Sequence, residues 1–150
     1  MTETTIRPIV EAFYKASAER DIDRIMSFIA DDVDWLVQGP VDVFAFFGQR
    51  HGKAAVREGF DEIARRLHIT GYEIEALLVD GDQCAAMIRL TSIVRATDKV
   101  MSVRTSQFSR FRDGKLVEMH AVLDSYDMVE QTLGRSLDLT VVDSETISAT

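Results

Sequence analysis

The segment Tyr72–Tyr126, YEIEALLVDGDQCAAMIRLTSIVRATDKVMSVRTSQFSRFRDGKLVEMHAVLDSY, decides the fold. It divides into four runs rich in apolar residues: Tyr72–Val79, Gln83–Arg95, Val100–Arg112 and Lys115–Tyr126. Short polar punctuation separates them, at Asp80-Gly81-Asp82, Ala96-Thr97-Asp98-Lys99 and Arg112-Asp113-Gly114-Lys115. The period within the runs is that of strands. Connections this short admit only antiparallel neighbours, because a parallel crossover needs a dozen residues or more. The segment therefore predicts a meander of long strands that must bury one face against other elements.

Upstream, the spacing becomes helical. Ile6, Ile9, Val10, Phe13 and Ser17 share one helix face, with Thr4 or Thr5 as N-cap and Pro8 in the first turn. Asp21 opens a second, short helix carrying Ile22, Ile25, Phe28 and Ile29. Val33–Val37, containing Trp35, reads as a strand closed by Gly39-Pro40, and an aromatic loop with Phe44, Phe46 and Phe47 follows. A third helix starts near Gly52 and presents Val56, Phe60, Ile63 and Leu67. Downstream, Asp127–Leu133 reads as a closing helical turn that Gly134 stops. The prediction is one α+β domain over residues 5–135, with 136–150 as a Thr- and Ser-rich tail fraying from Ser144.

Composition narrows the function. In 150 residues, 46% hydrophobic against 28% charged suits one globular domain rather than a disordered chain. The net charge of −8 (17 basic, 25 acidic) argues against phosphate-backbone binding, so no nucleic-acid partner is expected. No apolar run approaches the roughly 20 residues of a membrane span, and Met1–Arg7 lacks a signal-peptide core. The single cysteine, Cys84, excludes an intrachain disulfide framework and suits a reducing cytoplasm. No G-x-G-x-x-G, P-loop or G-x-S-x-G occurs. His51, His68 and His120 are too far apart for a helical zinc motif. Asp31, Asp32 and Asp34 run into Trp35 and Leu36 where a calcium loop needs a Gly turn and further oxygens, so they read as a solvated turn. Neither metal nor cofactor is expected.

The order helix, helix, strand, helix and four long strands resembles the cone-shaped fold of the nuclear transport factor 2-like superfamily. Asp21-Ile22-Asp23-Arg24-Ile25-Met26-Ser27-Phe28-Ile29-Ala30-Asp31-Asp32-Val33 is similar to that family's opening, and His51-Gly52-Lys53-Ala54-Ala55-Val56 to the start of its third helix. Phe111-Arg112-Asp113-Gly114-Lys115-Leu116-Val117, then Asp124 and Leu133-Gly134, resemble the last hairpin and closing helix of SnoaL-like members, which include ketosteroid isomerase-like proteins. The resemblance implies a curved antiparallel sheet wrapped around three N-terminal helices, a cavity between them, and a homodimer through the sheet's outer face. It implies a hydrophobic small molecule as ligand.

Fold alone does not assign chemistry, so each branch of the family is compared by position. Ketosteroid isomerases carry two aspartates where this chain has Val37 or Gln38, and Gln107. Epoxide hydrolases carry an Arg-x-Asp pair and a late Asp; Arg89 and Asp124 match, but Thr91 replaces the middle carboxylate. Dehydratase relatives place a His where His68 falls, paired with an Asp where Ala16, Ser17 and Ala18 stand. Polyketide cyclases use an Asp on the last strand, which Asp124 matches.

That match sets the expected phase of the strands. It puts Glu118, His120, Val122 and Asp124 on the cavity side, with Met87 and Arg89 facing them from the second long strand. Ile88, Leu90 and Val94 then fall on the outer face and call for a dimer partner. The expected catalytic set is Asp124, His120 and Arg89, with Asp124 as proton carrier and the other two neutralising an oxyanion. The expected substrate-binding set is Tyr14, Trp35, Phe47, His68, Met87 and Gln107. The reading is a small-molecule-binding protein with cofactor-free isomerase, cyclase or lyase chemistry on a hydrophobic, oxygenated substrate. The competing reading is a non-catalytic binding or assembly module.

Overall fold

The computed structural model describes residues 3–138, with side chains from Ile6 onward. The first helix already begins at Glu3, so Thr4 and Thr5, expected as its cap, lie within it; the end from Ser144, expected to fray, lies outside the described residues. Helix α1 spans Glu3–Ala18 and α2 Ile22–Ser27; strand β1 spans Ile29–Val37 and β2 Gly48–His51. Helix α3 covers Lys53–Arg66, then β3 Leu67–Asp80, β4 Gln83–Val94, β5 Lys99–Arg112 and β6 Lys115–Leu123 follow, and α4 Ser125–Leu133 closes the domain. The fold is α+β, as the sequence predicts.

One six-stranded sheet has the order β2-β1-β6-β5-β4-β3. The meander β3–β6 is antiparallel throughout. Strand β1 joins it parallel to β6, which its long intervening chain permits, and β2 adds antiparallel to β1. Register shifts at Ile69/Gly71 and Ile74/Ala76 in β3 bend that strand, as bulges do, and help the sheet curve. The concave face packs on the helices: Ile6, Val10 and Phe13 of α1 with Val56 and Phe60 of α3 meet Ile88, Phe111 and Leu116. A second cluster joins Phe44, Phe46 and Phe47 of the aromatic loop to Leu67, Met101 and Met128. Gln131 of α4 exchanges two 2.9 Å hydrogen bonds with the Ser102 backbone, which seats α4 against β5.

Several boundaries differ from the sequence reading: α2 ends at Ser27 and β1 begins at Ile29 rather than Val33, β2 is not among the expected strands, and α4 begins at Ser125. Helix α3 stops at Arg66 and β3 begins at once, so Leu67 and His68 are strand residues. Strand β6 stops at Leu123, because Asp124 turns out to cap α4 by accepting the Asp127 N–H at 3.0 Å. Helix α1 starts early enough that Pro8 lies inside it rather than in its first turn. Asp31, Asp32 and Asp34 belong to β1, where Arg112 meets Asp32 at 3.3 Å and His51 meets Asp34 at 2.7 Å.

The end of α1 matters most for the site. The Arg20 N–H donates to the Ser17 carbonyl at 3.2 Å and the Asp21 N–H to that of Ala16 at 3.1 Å. This is a Schellman stop, whose left-handed residue is usually Gly. Here it is Arg20, with φ of 53°. Asp21 then caps α2 by accepting the Arg24 N–H, so two helices meet without a glycine between them.

Candidate functional site

A cavity of about 130 Å³ lies between the concave face of the sheet, the end of α1 and the inner side of α3. Its walls are mostly apolar and aromatic: Trp35, Phe46, Phe47, Phe60, Leu90 and Met101 all contribute. The Trp35 and Phe60 rings meet edge-on at 5.6 Å, and Phe46 and Phe47 at 5.0 Å. Gly39 makes the Phe47 position possible, since a Cβ there would lie 2.4 Å from the Phe47 ring.

The polar groups of the wall are Ser17, Arg20, Tyr72, Ser92, Thr105 and Gln107; among the described residues it contains no carboxylate or imidazole. Behind Gln107, the Tyr14 hydroxyl donates to Oε1 at 3.1 Å, which leaves the Gln107 amide N–H groups as donors. Tyr14 is 1% exposed. Burial drives its phenol well above the ordinary value, with the nearby Cys84 and Tyr72 adding to the effect. Burial likewise pushes the Cys84 thiol up to about 11 and the Tyr72 phenol up to about 12. At Tyr72 the Ser17 hydroxyl and the Arg20 charge pull the other way, but burial wins. Both phenols are therefore neutral hydrogen-bond donors near pH 7. Burial also lowers the pKa of Arg20, though a guanidinium keeps its proton. Its Cζ stands 5.7 Å from the centroid of the Phe60 ring.

Residues 10–119 match the SnoaL-like domain family. The chain belongs to that family. Among solved structures, a candidate isomerase from Rhodopseudomonas palustris is 38% identical, with a TM-score of 0.75 over 84% of this chain and 93% of that one. A proposed SnoaL-like polyketide cyclase from Mesorhizobium loti is 22% identical, with a TM-score of 0.65 over 77% and 97%. An LEH-like epoxide hydrolase from M. tuberculosis is 20% identical, with a TM-score of 0.68 over 89% and 92%. These last two share the fold with the present chain. No curated protein matches the sequence.

The SnoaL-like cavity includes three of the expected binding residues, Trp35, Phe47 and Gln107, and Tyr14 stands directly behind the third. The others lie elsewhere. In β4 the cavity side is Leu90 and Ser92, and in β6 it is Met119, Ala121 and Leu123. The expected phase is thus inverted, and Met87, Arg89 and His120 stand on the outer face. There Met87 Sδ meets the Ser106 hydroxyl at 3.3 Å, and a His120 ring nitrogen meets Gln38 Oε1 at 2.8 Å. Arg89 lies 3.7 Å from Glu75, which also takes two hydrogen bonds from Arg104 at 2.6 and 3.1 Å. Arg104, with Arg89 behind it, holds the Glu75 carboxyl below the ordinary carboxylate range. His68 is exposed on β3, and Asp124 is occupied as a helix cap. Arg89 and Asp124, expected in one catalytic set, are not brought together in the cavity. The physical reason is the alternation itself: the apolar set of β6 faces the helices, and the polar set faces water. Ile88 and Val94, expected outside, are buried inside for the same reason.

Sequence reasoning missed Arg20 and Tyr72. A signal for Arg20 exists in Ala18-Glu19-Arg20-Asp21, a helix stop without Gly or Pro, which forces a side-chain-bearing residue into the left-handed region. Among the described residues, no cluster of three His, Cys, Asp or Glu could hold a metal ion.

Proposed function

We propose that this SnoaL-like protein binds a hydrophobic, oxygenated small molecule in the cavity beneath its sheet. The observation that carries this reading is an aromatic-walled cavity whose polar groups are hydrogen-bond donors: Gln107, Tyr72 and Arg20. Donors without a base hold a carbonyl, enolic or carboxylate oxygen; they do not remove a proton. Binding is therefore the primary reading. The second reading is a cofactor-free isomerase, which the 38% identity to the candidate isomerase favours. On that reading Tyr72 and Gln107 stabilise the oxyanion as it forms, and the proton moves through the substrate's own groups or bound water.

The single tryptophan, Trp35, lies in the cavity wall and serves as the reporter. A panel of planar carbonyl compounds titrated against Trp35 fluorescence should give saturable changes that Phe47→Ala abolishes. Signals that survive Phe47→Ala and follow only bulk concentration would contradict binding in the cavity. Chromatography of the same mixtures separates the readings, since only an isomerase converts a member of the panel.

A homodimer through the outer face is part of the proposal. Leu78, Phe108 and Val122 are 69%, 53% and 44% exposed there, too much apolar surface to leave wet at one patch. Light scattering should give twice the chain mass, and Phe108→Glu should halve it. The unpaired Cys84 keeps the reducing cytoplasm as the proposed compartment. Among the described residues no helix is long and apolar enough to cross a membrane.

A further inference from the structure

We propose that Arg20 is an anion anchor, so that the cavity selects a planar, mostly apolar ligand bearing a carboxylate or enolate oxygen. The inference rests on the reading of the cavity as a small-molecule site and adds the charge of the ligand.

Three observations carry it. The first is the backbone. Arg20 holds the left-handed position of the α1 stop, at φ 53°, where glycine is the usual residue. A long side chain is kept at a conformation that disfavours it, and strain of this kind clusters at functional sites. The second is pairing. Arg57, Arg104, Arg110 and Arg112, all well exposed, each meet a carboxylate within 3.3 Å. Arg20 is more buried, yet among the described residues it has no carboxylate partner. The Phe60 ring stands 5.7 Å from its Cζ, and the neutral Tyr72 phenol is nearby. Desolvating a cation without an opposite charge is unfavourable, and an incoming anion relieves that cost.

The third is the absence of internal competition. Among the described residues the cavity wall holds no aspartate or glutamate, and Tyr72, which feels the Arg20 charge, is a neutral phenol. Among the described residues nothing in the wall can neutralise Arg20, so that role falls to the ligand. A guanidinium fork suits two carboxylate oxygens, or a carbonyl and enolate oxygen on adjacent carbons. The rest of the cavity is aromatic and aliphatic, which suits a flat hydrocarbon body behind that head.

The test uses the full chain and two probes of one shape, 2-naphthoate and its neutral counterpart 2-naphthamide. Affinities come from calorimetry at pH 7 and low salt, and the indole N–H resonance of Trp35 reports whether each probe enters the cavity. The wild type should bind the carboxylate about tenfold or more tighter than the amide, a difference of about 1.4 kcal/mol. Arg20→Gln should bring the two within about threefold by weakening the carboxylate alone, and Arg20→Lys should retain part of the preference. Equal affinity in the wild type, with Trp35 shifted by both probes, would overturn the anchor and leave the cavity reading intact. A preference that persists in Arg20→Gln would also overturn it. If neither probe shifts Trp35, the cavity reading fails and the anchor with it.

Discussion

The two faces of strands β4 and β5 handle charge in opposite ways. On the outer face Glu75 sits between Arg104 and Arg89, and every partner remains in reach of water. Such pairs are screened and contribute little to stability. On the inner face Arg20 is, among the described residues, the lone formal charge in a wall of rings and aliphatic side chains, and water screens it less. The outer cluster is the richer in titratable groups, yet its charges already answer one another. The informative charge is the one left unanswered.

That contrast is most severely tested by neighbouring residues on β4. Ile88 is fully buried and Arg89 points outward. Ile88→Ala should lose about 2–5 kcal/mol in urea denaturation, whereas Arg89→Ala should leave the midpoint essentially unchanged. Comparable losses in the two variants would mean that the faces have been assigned the wrong way round. Gly39→Ala should cost about 1–3 kcal/mol, because the added methyl collides with the Phe47 ring. It should also weaken carbonyl-compound binding at Trp35, since Phe47 is part of the wall.

Titration sharpens the comparison from the inner side. Burial keeps the Tyr72 phenol protonated up to about 12, while in the unfolded chain it ionises near 10. The folded state holds more protons across that window, so stability is unaffected below pH 10 and falls as pH rises from about 10 to about 12. Tyr72→Phe should flatten the fall, as followed by denaturation midpoints across pH. An unchanged slope would show that Tyr72 is not the buried phenol responsible. The smallest effect is expected at Asp124. Asp124→Ala should cost about 1 kcal/mol, the usual loss for an N-cap, with ligand affinity at Trp35 unaltered. A loss of binding with stability intact would return Asp124 to the cavity.

Much of the architecture was legible in the chain because its signals are local. Asp80-Gly81-Asp82 and Arg112-Asp113-Gly114-Lys115 turn the strands back within a few residues, and no other partner can intervene. The helical spacing of Val56, Phe60 and Ile63 points one face of α3 inward. Trp35, Phe47 and Gln107 follow from that frame. The phase of β6 was available too: alternation alone favours Met119, Ala121 and Leu123 as the buried set. Reading Asp124 as a wall residue reverses that phase, which shows how one motif position can mislead when the strand ends a residue earlier.

By itself, then, the sequence determined the elements, the antiparallel meander and the family, since periodicity, turns and caps act over a few residues. Tertiary structure alone decided what those elements bring together. The parallel seat of β1 beside β6 depends on pairing across some eighty residues, as at Trp35 and Met119. The meeting of Arg20, Phe60 and Tyr72 depends on α1, α3 and β3 closing over one cavity. Whether a charge is answered depends on which groups lie within a few ångströms in space, and spacing along the chain carries no record of that distance.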